Sequence, residues 1–270
     1  MLLLASPAAL VIFVLLIVPL AWLFWQSIYA DGFTLEHYRR IITEDIYRNT
    51  FALTFKISII VTLLTVLLGY PVAYAAAALP KRWATLVLAL VILPFWTSVL
   101  VRAYAWLILL QRSGLINKTL MGMDLIQTPL PLVHNEFGTI LATVHILLPF
   151  MVLPLYSTMQ KIPGDLMQAG GSLGGNPLHV FLRVFFPLSL TGVLAGMTLV
   201  FVLCLGFYIT PELMGGGRTI LVSMVVSRNV ELYNQWGAAS AVSVVLLACV
   251  FVIFYLVSKL IPLERILGAK

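Results

Sequence analysis

The residues able to do chemistry are few in this chain, and most fall in one polar stretch from Lys161 to Pro187 that holds Asp165, Gln168, Ser172, Asn176, His179 and Arg183 among several glycines. Within it, Gly170-Gly-Ser172-Leu-Gly174 satisfies the Gly-x-Ser-x-Gly nucleophile elbow, in which a sharp strand-to-helix turn presents a serine to a base. That chemistry requires an acid and then a histidine downstream, yet His179 is the last histidine and no acid separates it from Ser172. The match is a coincidence of composition. The four histidines show no His-Glu-x-x-His zinc spacing, and Cys204 and Cys249 stand alone in separate apolar runs. No Gly-x-x-x-x-Gly-Lys-Ser/Thr loop is present to cradle the phosphates of a nucleotide. The chain therefore reads as a non-enzyme with no catalytic, cofactor-binding or metal site of its own.

Four further residues stand out beside or within apolar runs. Arg102 interrupts one such run, where a cation is costly and marks a functional site by default. The competing reading is structural: its long stem snorkels to the interface, or the guanidinium ties to a loop acid, and for a cationic solute an arginine repels rather than binds. Glu212 follows Thr210-Pro211 at the end of another run. It reads equally as a helix start, with Thr210 as N-cap and Pro211 in the first turn, and as an acidic contact for an ammonium group. Trp96 and Tyr208 are aromatic candidates for lining a solute pathway through cation–π contact, although aromatics at span ends are often interfacial anchors.

The elements that carry these residues follow from composition. Of 270 residues, 61% are apolar and 10% charged, against roughly 45–50% and 25% in soluble globular domains. That balance excludes a soluble globule and intrinsic disorder, and two cysteines exclude a disulfide scaffold. The net charge of +6 comes from scattered residues, with no basic run longer than Arg39-Arg40 or Lys81-Arg82, so no nucleic-acid partner is expected. Five runs of helix-spanning length lack Asp, Glu, Lys and Arg, and a sixth, Trp83 to Gln111, is broken only by Arg102. Lipid offers no partner for backbone groups, so the expected fold is an all-α integral membrane protein. Its six spans are placed at about 6–29, 57–79, 84–110, 137–157, 186–210 and 237–259, in one transmembrane domain covering 1–270. The first apolar run exceeds the 7–15 residues of a signal core and is read as a retained anchor. Alternate loops hold seven basic residues on one side and eight on the other, so the positive-inside rule does not orient the bundle by count alone. Gly192-x-x-x-Gly196 has the small-residue spacing that lets membrane helices approach closely, and Pro94, Pro149 and Pro154 interrupt backbone ladders in the third and fourth spans.

The polar stretch itself reads as two short helices about a turn. Pro163 and Asp165 suit a helix start and Gly174-Gly175 a stop. Asn176 with Pro177 makes an N-cap followed by proline at the first helical position, and Leu178, Phe181, Leu182 and Phe185 then form an apolar stripe. At these residues the chain resembles the permeases of ABC importers, whose EAA loop has the pattern Glu-Ala-Ala, three residues, Gly, nine residues, an aliphatic, any residue, Leu and Pro. The corresponding positions here are Gln168, Ala169, Gly170, Gly174, Val184, Phe186 and Pro187, with the spacing intact. Gln168, Gly170 and Phe186 depart from the pattern, and Gln168 is uncharged where the family's usual Glu makes a charged contact.

The stretches Pro94 to Trp106, Leu147 to Tyr156 and Gly206 to Gly216 look like those of spermidine/putrescine importer permeases, and the likeness runs from about Leu35 onward. The resemblance implies a type I permease bundle whose loop 161–187 forms cytoplasmic coupling helices, with Asp165, Gln168, Ala169, Gly170, Gly174, Asn176, Pro177, Arg183 and Pro187 in ATPase coupling. It further implies both termini in the cytoplasm, a location in the bacterial inner membrane, and several partners. These are a dimer of ATPase subunits carrying ATP and magnesium, a second homologous permease, and a periplasmic solute-binding protein. The rival reading is an ATP-independent secondary transporter or channel for a small organic cation. Spans without acids at depth weigh against it, since ion-coupled carriers use such groups as relays.

Overall fold

The computed structural model describes residues 2–29 and 32–260, and side chains from Leu10 to Tyr255 apart from 30–31. Arg265 and Lys270, two of the seven basic residues counted on one side of the bundle, lie outside the described residues. In chain order the helices are α1 (Leu2–Ile28), α2 (Glu36–Thr43), α3 (Asp45–Ala78), α4 (Lys81–Ile92), α5 (Val99–Leu110), α6 (Leu115–Gly122) and α7 (Glu136–Met159). Then come α8 (Gly164–Ser172), α9 (Pro177–Val180), α10 (Phe186–Leu205), α11 (Ile209–Met214), α12 (Val222–Glu231) and α13 (Trp236–Leu260). A 3-10 turn covers Leu93–Trp96, and a π turn at Phe181–Phe185 joins α9 to α10. No strand occurs among the described residues. Among the described residues, six helical segments are long and apolar enough to cross a membrane: Leu10–Ile28, Asp45–Ala78, Val99–Gly122, Glu136–Met159, Pro177–Leu205 and Trp236–Tyr255.

Several of the expected spans differ: the helix expected at 57–79 begins at Asp45, and the third spanning segment is Val99–Gly122. The span expected at 84–110 is not one helix: α4 stops at Ile92, Pro94 lies in the 3-10 turn, and Thr97 is extended before α5 begins at Val99. Proline removes a ladder donor and disfavours helical geometry in the residue before it, which accounts for a stop here. The span expected at 186–210 ends early, at Leu205, and the chain restarts as the short α11. Thr210 is accordingly not an N-cap. Tyr208 holds that position, while Thr210 and Pro211 lie buried inside α11. Pro149 and Pro154, by contrast, leave α7 continuous from Glu136 to Met159.

The contacts divide the chain into two compact units, one of Met1–Ala52 with Leu221–Lys270 and one of Leu53–Ile220. In the first, Ile41, Tyr47, Val222, Ala241 and Val242 form the core. The Ser27 and Tyr38 hydroxyls lie 2.7 Å apart, and Trp22 meets Trp236 edge-on at 6.1 Å between ring centroids, so α1, α2 and α13 are tied by both polar and aromatic contacts. Gly237 is required there, because a Cβ on it would sit 2.8 Å from His37 Nε2.

The second unit is organised around α7, which Asn135 caps by accepting from Gly138 N at 2.9 Å. The buried face of α7 includes Ala142, Met151, Val152 and Leu155. Met151 fits against glycines on two neighbours: a Cβ on Gly69 of α3 would lie 2.9 Å from Met151 Cγ, and one on Gly196 of α10 would lie 2.6 Å from Met151 Sδ. Gly192 approaches Thr158 and the Pro154 carbonyl in the same way. Small residues thus let three long helices close around a flexible methionine, and the Gly192/Gly196 spacing does the packing work read from the sequence. Asn117 is fully buried; its Nδ2 donates to the carbonyls of Gln111 and Leu130, and its Oδ1 accepts from Leu130 N, fixing the loop after α6.

Candidate functional site

The polar stretch folds as a helical hairpin with the turn chemistry its residues call for. Asp165 lies in the first turn of α8, where an acid complements the exposed N–H groups. At the other end Gly174 takes φ +83°, Gly175 N bonds to Gly170 O at 3.1 Å and Gly174 N to Gly171 O at 3.0 Å, a Schellman closure. Asn176 Oδ1 then accepts from His179 N at 2.7 Å, with Pro177 at the first position of α9. The Ser172 hydroxyl turns back to Gln168 O at 3.1 Å within α8, as an ordinary helical serine does.

Gly170 has a specific reason to lack a side chain. A Cβ there would lie 2.9 Å from Val180 Cγ1 and 3.0 Å from Cγ2, so the glycine lets α8 fold onto α9 around the buried Val180. Asp165, Gln168, Ala169, Gly174, Asn176, Pro177, Arg183 and Pro187 are all exposed. They are joined on the surface by Leu166, Leu173, Leu178 and Leu182, of which Leu173 is 89% exposed. The stripe expected from Leu178, Phe181, Leu182 and Phe185 is therefore split. Val180 and Phe185 are buried, five residues apart, while Leu178 and Leu182 face out. The π turn supplies the physical cause, since one extra residue per turn moves the inward face on by a position.

Sequence reading missed what this hairpin leans on. Tyr70 and Tyr74, one turn apart on α3, meet it with a cluster of rings: Tyr74 stands edge-on to Phe181 and Phe185 at 5.4 and 5.1 Å, and Tyr70 contacts Phe181 and Phe186 at 6.2 and 5.8 Å. Tyr70 Oη also lies 2.9 Å from Ser189 Oγ. The available signal was the pair of tyrosines at i and i+4 near the end of α3, where no other aromatic residue follows Phe55.

The proposed pathway residues fall into two places. Trp96, at the break between α4 and α5, is 87% exposed. Arg102 sits in the early part of α5 and is only 7% exposed, with Nε and Nη1 buried and without hydrogen-bond partners. Tyr208 and Glu212, both half-buried, flank the turn from α10 into α11, where Glu212 N bonds to Tyr208 O at 3.0 Å. α5, α7 and α11 pack on one another around Leu110, Ala142 and Met214. No group of three or more His, Cys, Asp or Glu side chains able to hold a metal occurs among the described residues.

Residues 65–263 match the family of binding-protein-dependent transport system inner membrane components, a span that takes in the hairpin and every helix from α4 onward. The chain belongs to that family. Among its relatives, the permease is 34% identical over 239 residues to the spermidine/putrescine transport system permease protein PotB of Escherichia coli, covering 86% of each chain. It is 33% identical to the PotB of Haemophilus influenzae, over 87% of this chain and 83% of that one. The inner membrane ABC transporter permease protein YdcU of Escherichia coli is 31% identical over 85% of the permease. In fold, the permease is similar to a chain of a bacterial ABC transporter involved in the import of the acidic polysaccharide alginate. The TM-score is 0.71 at 16% identity, over 94% of this chain and 93% of that one. A second structure of the bacterial alginate transporter, in complex with an alginate pentasaccharide-bound periplasmic protein, gives 0.72 at 17% identity. The permease is thus a multi-pass membrane protein and a transport subunit.

Proposed function

We propose that this permease forms the membrane pathway of an ATP-driven importer for polyamines of the spermidine/putrescine class. The observation that carries the solute class is the 34% identity to PotB spread over 86% of both chains, rather than confined to the hairpin. In this reading the 161–187 hairpin faces the cytoplasm of a bacterial inner membrane, both termini lie on that side, and the chain works as one transmembrane domain. The exposed leucines and polar residues from Asp165 to Arg183 dock on an ATPase dimer that binds ATP and magnesium, and a homologous second permease completes the pathway. Closure of the ATPase pushes the hairpin, and the ring cluster around Tyr70 and Tyr74 passes that push to α3 while Pro187 passes it to α10. The helices then open towards a periplasmic binding protein that delivers the solute.

Reconstitution with the co-purifying ATPase, second permease and binding protein tests the proposal. Spermidine-loaded binding protein is expected to stimulate ATP hydrolysis and drive uptake. Flux that follows an ion gradient without ATP would instead identify a secondary transporter.

A further inference from the structure

The break at Thr97–Ser98 lies apart from the 161–187 hairpin, and the side chains around it gather positive potential in an apolar setting. α5 is a twelve-residue helix that begins at this break. Its first-turn N–H groups have no acceptor within the helix, and the Ser98 hydroxyl takes only that of Leu100, at 3.3 Å. Such a half-helix start inside an apolar segment is an anion-attracting end. Arg102, on the next turn, adds a full charge. The residue is 93% buried, Nε and Nη1 have no hydrogen-bond partner, and it takes no part in the ion pairs Arg40–Glu44, Arg48–Asp45 and Lys56–Glu136. Helical side chains lean towards the N-terminus of their helix, so the guanidinium is carried back towards the break.

A third donor comes from α7. Trp106, one turn after Arg102 on the same face of α5, donates from Nε1 to His145 Nδ1 at 3.2 Å. With Nδ1 occupied as an acceptor, the neutral imidazole carries its proton on Nε2 and is a donor there. His145 is also the single polar side chain lining a cavity of about 250 Å³ bounded by Val87, Leu90, Val91, Pro94, Leu148 and Pro149. A buried guanidinium without acceptors is strongly unfavourable, and an anion supplies both the counter-charge and the missing acceptors.

We propose that the start of α5, Arg102 and His145 form a binding site for a small monoanion, either a halide or a carboxylate. The carboxylate source has room for a short organic tail in the apolar cavity, whereas a halide needs only the donors. This site stands apart from the polyamine reading, since it binds the opposite charge.

The test is thermal unfolding of the purified full-length permease in sodium bromide or sodium acetate against sodium gluconate at fixed ionic strength. A saturable rise of the midpoint is expected, because a ligand of the folded state stabilises it by mass action. Bromide acting alone identifies a halide site and stronger action by acetate a carboxylate site. R102M should abolish the response and H145F should raise the half-saturating concentration at least fivefold. If R102M does not fold, R102K serves: it keeps the charge but loses the planar fork, and should weaken acetate more than bromide. A wild-type protein with no saturable response, or the same response in R102K and H145F, overturns the proposal.

Discussion

The Tyr70 hydroxyl on α3 lies 2.9 Å from that of Ser189 on α10, just beyond the proline at which the surface hairpin enters the membrane helix. Ser189 also bonds to Phe186 O at 2.8 Å, so the tyrosine joins a short polar chain inside an aromatic cluster. Tyr70→Phe removes that bond but keeps the ring. A loss of about 0.5–1.5 kcal/mol is expected, with uptake lowered severalfold and ATPase binding intact. Tyr70→Ala also removes the contacts to Phe181 and Phe186 and should lower the unfolding midpoint further than Tyr70→Phe. Equal uptake by wild type and both variants would remove the cluster from the coupling path.

The two glycines of the hairpin should respond differently. A side chain at Gly174 meets nothing within 4 Å, so Gly174→Ala suffers only from its φ of +83°, about 1–2 kcal/mol. A valine at Gly170 meets Val180 directly. Gly170→Val should therefore uncouple hydrolysis from uptake more severely than Gly174→Ala, and adding Val180→Ala should restore part of the loss. Rescue by Val180→Ala is the discriminating measurement, since a defect in ATPase recognition at the exposed surface would not be relieved by it.

Close helix approach gives a stability prediction. At Gly192 an added Cβ faces Thr158 and the Pro154 carbonyl, which is backbone and cannot move aside, whereas at Gly196 the nearest atom is the flexible Met151 Sδ. Gly192→Ala should lower the unfolding midpoint more than Gly196→Ala. The reverse order would mean that α10 shifts along α7 rather than being fixed by the Pro154 turn.

Glu212 occupies the first turn of α11 beside the buried Thr210 and Pro211. Glu212→Gln should weaken uptake of a divalent cation while leaving the purified complex assembled. Unchanged uptake across solute concentrations would leave the residue as a helix-dipole partner, worth about 0.3–1 kcal/mol.

That the chain is a bundle of apolar, membrane-spanning helices with a polar helical hairpin was legible in the sequence, and for a local reason. Spanning length and charge exclusion are properties of a run of residues, and the Gly174 turn, the Asn176 cap and Pro177 act on their immediate neighbours. Gly192 and Gly196 were legible for the same reason, as a spacing on one helix face. What the tertiary structure alone decided involves distant partners. That Gly170 is small because Val180 presses on it, that Tyr70 reaches Ser189 across 119 positions, and that Trp106 orients His145 cannot be read from any single segment. Pro94 signalled an interruption of the third span, but so did Pro149 and Pro154 in α7, which stays continuous; which proline ends a helix, and the early end of α10, were not legible in apolar runs that look alike. The packing of α5 and α11 against α7 is likewise tertiary, and Arg102 lies buried beside the break.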